Sequence, residues 1–122
     1  MSDEQLDLRP LAGLRVIEVG QLLAGPFTGT ILGYFGAEVI KVEPPKVGDP
    51  IRGWREVRNG TSLWWASLSR NKKCITLDLK TQKGQEVLRK LANTADVFVE
   101  NFRPGTMEKW GIGPDTFKEE NP

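Results

Sequence analysis

One stretch of the chain, residues 14–45, decides the fold, and it reads LRVIEVGQLLAGPFTGTILGYFGAEVIKVEPP. The apolar, β-branched run at residues 14–19 is typical of a strand that is covered on both faces in a parallel sheet. A glycine-rich turn follows, and Pro26 stands where a helix can begin, because a proline in the first helical turn wastes no amide. A second apolar run at residues 39–42 ends at two prolines, which cannot continue a central strand. We therefore predict a β-α-β unit.

The helix of this unit is predicted to carry an apolar stripe and a thin side. The stripe consists of Phe27, Ile31, Leu32, Tyr34 and Phe35. Gly29 and Gly33 thin one side so that the helix can lie close to a sheet, and Gly36 is predicted to end it. In open α/β sheets ligands bind beyond the carboxyl ends of the strands, so the turn at residues 21–26 is the first candidate site. It lacks the known nucleotide-loop patterns, and its spacing alone favours a structural turn.

Composition excludes several classes of function. The chain has 122 residues, enough for one domain, and its net charge of +1 argues against a nucleic-acid partner. No apolar run is long enough to span a membrane. The single Cys74 and the absence of a signal-like N-terminus predict a cytoplasmic protein. Because the sequence contains no histidine, it predicts no metal site and no Ser-His or Cys-His pair.

Two polar stretches in the middle of the chain are candidate binding elements. The connection at residues 46–60 places Trp54 between two arginines, which could stack on a planar ligand, although a half-buried tryptophan that pins a surface loop is the favoured interpretation. Residues 69–73 bring three cations together. Such a run is usually a solvated turn, but it also suits phosphate groups.

The second half of the chain repeats the alternation of strands and helices. Residues 74–79 alternate with a period of two and predict a strand near a sheet edge. Residues 81–94 predict an amphipathic helix with Val87, Leu88 and Leu91 as its apolar stripe. A short strand at residues 97–99 leads into a turn that occupies the same structural place as the first candidate site. The alternation of strands and helices therefore predicts an α/β fold with a mainly parallel sheet.

Several phrases in register resemble the N-terminal part of the family III CoA-transferases, the group that includes formyl-CoA and carnitine CoA-transferases and α-methylacyl-CoA racemases. The matching phrases are PLAGLRV at 10–16, AGP at 24–26, LG at 32–33, GAEVIKVE at 36–43, GDP at 48–50, RGW at 52–54, NKK at 71–73, LDLK at 77–80, ADV at 95–97 and ENFRPG at 100–105. The resemblance implies that residues 11–122 form a Rossmann-like three-layer α/β domain with a mainly parallel sheet, a partial coenzyme A-binding domain that is truncated relative to the family. Residues 1–10 are predicted to be a flexible N-terminus.

The resemblance implies that coenzyme A binds at the loops singled out above. By position, the coenzyme-contacting residues are Leu23, Ala24, Leu77, Lys80, Asn101, Phe102, Arg103, Lys109 and Trp110. Lys80, Arg103 and either Arg70 or Lys72 would meet the phosphates, and backbone amides at the Ala24 turn would add donors. Pro44 and Lys109 stand where some members of the family have arginine, so the grip on the coenzyme differs there.

The resemblance also implies a reaction, in which an aspartate attacks an acyl-CoA thioester to form a mixed anhydride and CoA passes to a carboxylic acid. None of Asp49, Asp78, Asp96 and Asp115 matches that nucleophile, so the 122-residue chain is expected to bind CoA or acyl-CoA without turnover. Its uncovered sheet edge predicts a homo-oligomer or completion by a downstream polypeptide. The alternatives are a small interaction or assembly module that retains the fold, and a piece of a longer enzyme.

Overall fold

The computed structural model describes residues 7–122. The predicted flexible N-terminus therefore lies outside the described residues at positions 1–6. Residues 7–10 are exposed, and Arg9 pairs there with Asp7. The elements, in chain order, are β1 (Arg15–Glu18), α1 (Ala24–Tyr34), β2 (Glu38–Glu43), a 3₁₀ turn (Pro50–Gly53), β3 (Val57–Arg58), β4 (Thr61–Ser62), α2 (Leu63–Leu68), β5 (Lys72–Thr76), α3 (Gln82–Ala92), β6 (Val97–Val99), α4 (Thr106–Lys109) and α5 (Pro114–Phe117).

A parallel sheet of four strands forms the centre of the fold, in the order β5-β2-β1-β6. β1 pairs with β2 through Val16 and Val39, and with β6 through Ile17 and Phe98. The order of strands along the chain reverses between β1 and β6, since β2 and β5 lie on one side of β1 and β6 lies on the other. This reversal is the place where doubly wound sheets bind ligands, because the crossover connections diverge there.

Helices cover the sheet on both faces, which confirms the predicted three-layer α/β architecture. The α1 side buries Val16, Val39 and Ala37. The opposite side buries a larger apolar cluster in which Leu88 of α3 joins Ile17 and Val42. Successive strand residues point to opposite faces, so β1 and β2 contribute alternately to the two clusters. Within residues 7–122 every helix is too short or too polar to cross a bilayer.

The orientation of α1 differs from the predicted apolar stripe. The side of α1 against the sheet is made of small or short residues, namely Gly25, Pro26, Gly29, Thr30 and Gly33. Phe27, Tyr34 and Phe35 are about half exposed on the outer side. The glycines therefore do bring the helix close to the sheet as predicted, but the large apolar side chains do not form its buried face. Close approach of two backbones leaves no room for them there.

Other boundaries differ by a few residues. α1 begins two residues before Pro26, which stays within the first turn, where its missing amide costs no hydrogen bond. α3 buries Gly84, Leu88 and Ala92, whereas Val87 of the predicted stripe is 41% exposed. Ser62 caps α2 by accepting a hydrogen bond from the Trp65 amide.

The connection at residues 46–60 is more structured than its composition suggests, because β3 and β4 form a small antiparallel hairpin across Asn59 and Gly60. Both turn residues have positive φ, 50° and 78°. An Asn-Gly pair is the strongest short-range sequence signal for such a hairpin. The sequence contains this pair at residues 59–60, so the hairpin could have been predicted.

Candidate coenzyme site

A cavity of about 440 Å³ lies at the carboxyl ends of β1, β2 and β5. It is on the face of the sheet that α3 covers, since Val19 and Val42 belong both to its wall and to the apolar cluster on that face. Its lining consists of Val19, Gln21, Val42, Glu43, Pro44, Val47, Gly48, Pro50, Leu77, Asp78, Leu79, Lys80, Phe102, Thr106 and Trp110. The volume lies within the usual range of small-molecule sites.

Four of the nine predicted contact residues line this cavity. Leu77 and Lys80 come from the segment that follows β5, and Phe102 and Trp110 come from the segment that follows β6. The two aromatic rings meet edge to face, with their centroids 5.3 Å apart. The arrangement gives the cavity an apolar, aromatic wall with a cationic side chain beside it.

The other five predicted residues do not line the cavity. Leu23 and Ala24 lie at the start of α1 and are exposed there, while Arg103 and Lys109 are exposed near the aromatic wall. Among residues 7–122, no side-chain hydrogen bond caps the start of α1 at Leu23, and the first turn of this helix carries no acidic residue. The positive end of the α1 dipole and its early amides are therefore available to an anion.

The Asn101 side chain forms hydrogen bonds with the turn that follows β1. Its Oδ1 accepts a hydrogen bond from the Gln21 amide at 2.8 Å, and its Nδ2 donates to the Gln21 carbonyl at 2.9 Å. A Cβ on Gly20 would lie 2.5 Å from the same Oδ1, so glycine is required where the Asn101 side chain crosses the turn. The structure thus joins the turns after β1 and β6, which the sequence predicted to be neighbours.

The cations divide into free and paired groups. Within residues 7–122, Lys80, Arg103 and Lys109 form no ion pair, so their charges are available to a ligand. Lys72, by contrast, is not a turn residue and does not face solvent. It belongs to β5, and its ammonium is buried against Glu18 at 2.7 Å. The alternative in which Lys72 grips a phosphate is therefore wrong.

The aromatic residues of the connection pack against each other and against two arginines. Arg55 lies over the Trp54 ring at 4.6 Å, but Arg52 lies over Trp65 at 3.8 Å instead of Trp54. Trp54 is half-buried and meets Trp64 edge to face. The interpretation of Trp54 as a residue that pins the loop is the one that the structure supports.

Glu43 is a wall residue that the sequence analysis missed. It accepts hydrogen bonds from Arg52 Nε at 2.7 Å and from the Asp49 amide at 2.8 Å. Burial by itself would raise the Glu43 pKa, but these bonds outweigh burial and hold that pKa below its ordinary value. The available signal was its place as the last residue of a buried strand, where side chains reach the ligand end of the sheet.

Comparison with known proteins gives one consistent result. The family model described as CoA-transferase family III matches residues 11–122. Over 115 residues the chain is 54% identical to succinyl-CoA–D-citramalate CoA-transferase and 49% identical to the alpha subunit of succinyl-CoA–L-malate CoA-transferase, both from Chloroflexus aurantiacus. The matches cover 93% of this chain in each case, but only 29% and 27% of those relatives.

A solved structure has the same fold as this chain. The crystal structure of a hypothetical protein from Mycobacterium tuberculosis superposes with a TM-score of 0.85 at 44% identity, covering 93% of this chain and 31% of that one. The chain thus spans less than a third of the length of the proteins that it matches.

Proposed function

The chain belongs to CoA-transferase family III, and from that premise we propose that residues 11–122 form the part of such an enzyme that binds coenzyme A. The cavity at the strand tips carries this proposal. Coenzyme A joins an adenine ring and an apolar pantetheine arm to phosphate groups. An apolar cavity with an aromatic wall, a free Lys80 and the uncapped end of α1 nearby matches both halves of that molecule.

The nine predicted residues receive roles on this basis. Phe102, Trp110 and Leu77 are assigned to the apolar parts of the coenzyme. Lys80, Arg103 and Lys109 are assigned to its phosphates, because cations form strong charge-assisted hydrogen bonds with phosphate oxygens. Leu23 and Ala24 contribute backbone groups at the start of α1, and Asn101 holds their turn in place through Gln21.

We further propose that the 122-residue chain binds CoA or acyl-CoA but does not transfer it. In the complete enzyme, CoA would pass between an acyl-CoA and a carboxylic acid through an aspartyl anhydride. Three carboxylates at this end of the sheet are already engaged, since Glu43 is bonded to Arg52, and Glu18 and Asp49 are buried against lysines. A carboxylate held in this way is a poor nucleophile for a thioester. Asp78 of the cavity wall does not match the position of the family's nucleophile.

The protein is proposed to act with a partner chain and in the cytoplasm. A relative that is named as an alpha subunit supports completion of the enzyme by another polypeptide, and a second copy of the chain is the other candidate. We place the protein in the cytoplasm because its only cysteine, Cys74, is a free and exposed thiol.

Binding is tested by titrating the 122-residue chain with CoA, succinyl-CoA and pantetheine. CoA and succinyl-CoA should raise the melting temperature and shift the NMR signals of Leu23, Lys80 and Arg103, because a ligand that binds only the folded state stabilises it. Pantetheine, which lacks the phosphates and the adenine, should have little effect. Lys80→Met should weaken CoA binding by roughly tenfold, the loss expected for one charge-assisted contact.

Lys90→Met is the matched control, since Lys90 is an exposed cation in the last turn of α3, away from the cavity. It should bind CoA as the original chain does. If millimolar CoA changes neither the melting temperature nor the NMR spectrum, the coenzyme proposal fails and the alternative of an assembly module takes its place.

A further inference from the structure

Four charged side chains are buried together beneath α1. Lys41 Nζ lies 2.7 Å from Glu18 Oε2 and 2.7 Å from Asp49 Oδ2, and Lys72 Nζ lies 2.7 Å from Glu18 Oε1. Each side chain is at most 1% exposed. The two anions and two cations cancel, as buried charges must if they are to remain charged.

The buried cluster of Glu18, Lys41, Asp49 and Lys72 also forms hydrogen bonds with the turn that leads into α1. Lys41 Nζ donates to the Gly20 carbonyl at 3.2 Å, and Lys72 Nζ donates to the Pro26 carbonyl at 2.7 Å. The Leu22 amide donates to Asp49 Oδ1 at 3.0 Å. The segment that bears Leu23 and Ala24 is therefore held from below at three points.

Leu22 is the residue that needs this support. Its φ is 64°, a left-handed conformation that residues with a side chain rarely adopt. Such strain persists only where the surroundings fix it. Asp49 supplies the bond that does so, and Lys41 in turn fixes the Asp49 carboxylate. Asp49 also caps the 3₁₀ turn by accepting from the Ile51 amide, so it joins the connection at residues 46–60 to the site.

We propose that Asp49 is the positioning residue of the coenzyme site: it holds Leu22 in its left-handed conformation and so directs the start of α1 toward the ligand. This inference rests on the proposed function and goes one step deeper, because Asp49 itself does not line the cavity. Without Asp49, Leu22 returns to negative φ, and the backbone at Leu23 and Ala24 turns away from the coenzyme.

The main variant is Asp49→Ser. A serine can still cap the 3₁₀ turn through the Ile51 amide, but its side chain is too short to reach Leu22 or Lys41. Adding Leu22→Gly provides the rescue, because glycine adopts positive φ about as readily as negative φ. Asp96→Ala is the matched control, since Asp96 accepts from the Arg15 amide at 2.9 Å at the opposite end of the sheet.

Each variant is measured in two ways. NMR scalar couplings and backbone chemical shifts report the sign of φ at Leu22, and a CoA titration below the melting temperature gives the Kd of the folded protein. We expect Asp49→Ser to lose the positive φ and to raise the Kd at least tenfold. Asp49→Ser/Leu22→Gly should return the Kd to within about threefold of the original. Asp96→Ala should lower stability but change the Kd by less than twofold.

A purely structural role would lower the melting temperature and leave the Kd unchanged, and that result overturns the proposal. If Asp49→Ser does not fold, Asp49→Ser/Lys41→Met restores the charge balance of the cluster and is judged by the same two readings. If the original chain binds no CoA, the proposed function fails. The φ at Leu22 then decides by itself whether Asp49 positions the turn.

Discussion

At the level of single residues, the buried cluster explains why α1 carries a glycine at position 29. A Cβ built on Gly29 would lie 2.0 Å from Glu18 Oε1, the oxygen that pairs with Lys72. No atom can be accommodated at that distance, and the carboxylate is fixed on both sides by lysines. Glycine is therefore required at position 29 because a side chain would clash with Glu18, and not because the backbone adopts an unusual conformation.

The pKa values of the two lysines in this cluster are shifted in opposite directions. Burial lowers the pKa of both, but Lys41 has two carboxylate partners, which outweigh burial and raise its pKa. Lys72 has one carboxylate partner and feels the charge of Lys41, so its pKa is lowered, with burial as the main cause. Lys41 is therefore the more firmly charged of the two and the natural anchor for Asp49.

Gly29→Ala should destabilise the protein strongly. The new methyl group must displace Glu18, and disturbing a buried ion pair costs about 3 kcal/mol or more. Gly33→Ala in the same helix is the control, because its Cβ would meet Val39 Cγ2 at 3.5 Å, an ordinary contact. It should be neutral or stabilise by up to about 1 kcal/mol through helix propensity. Urea unfolding of both variants measures the difference, and equal effects would contradict the role assigned to Gly29.

At the level of elements, α1 and α3 bury their inner faces in different ways. α1 lies close to the sheet through small residues and leaves large apolar side chains outside. α3 packs through Leu88, which is fully buried, with Leu91 partly buried against the same cluster. The spacing of apolar residues predicted these two positions, although it wrongly included Val87. The buried face of α1 cannot be predicted in this way, because it depends on how close two backbones come.

Leu88→Ala should cost about 2 to 5 kcal/mol of unfolding free energy, because it leaves a cavity among Ile17, Val42 and the other members of the larger apolar cluster. Val87→Ala, one residue earlier, should cost less than about 1 kcal/mol, since Val87 is 41% exposed. Chemical denaturation of the pair tests the helix face. Similar losses at both positions would mean that α3 packs on a different face.

At the level of the whole molecule, the sheet is open at both edges among the described residues. The edge strand β5 is largely exposed, and β6 is only half covered. Beside β6 a cavity of about 480 Å³ is lined by Phe98, Met107, Ile112 and Phe117, among others. An open edge next to apolar surface invites pairing with another strand.

We therefore expect the 122-residue chain to self-associate as its concentration rises, which sedimentation velocity will detect. A lysine on the edge strand opposes such pairing, so Val97→Lys should shift the protein toward monomer. Val57→Lys, on the exposed hairpin strand β3, introduces the same charge elsewhere and should leave association unchanged. A chain that stays monomeric at all concentrations, or equal effects of the two variants, would contradict association through β6.

Local sequence was enough to predict the β-α-β unit, α3 and the site end of the sheet. Apolar periodicity and turn residues act over a few positions, so residues 14–45 and 81–94 carry their own secondary structure. Parallel pairing then brings the strand tips to one edge. The same local view missed the hairpin at Asn59 and Gly60 and assigned Lys72 to a solvated turn, because a run of cations does not reveal which one has a buried carboxylate nearby.

The sequence by itself determined the α/β class and the family, and it pointed to the loops of the proposed coenzyme site. Only the tertiary structure decided which face α1 buries, that Asn101 holds Gln21, and that Asp49 holds Leu22. These contacts join residues 80 and 27 positions apart in the chain. No local pattern encodes such pairs, because their partners become neighbours only when the strands pair and α1 packs over the buried charged cluster.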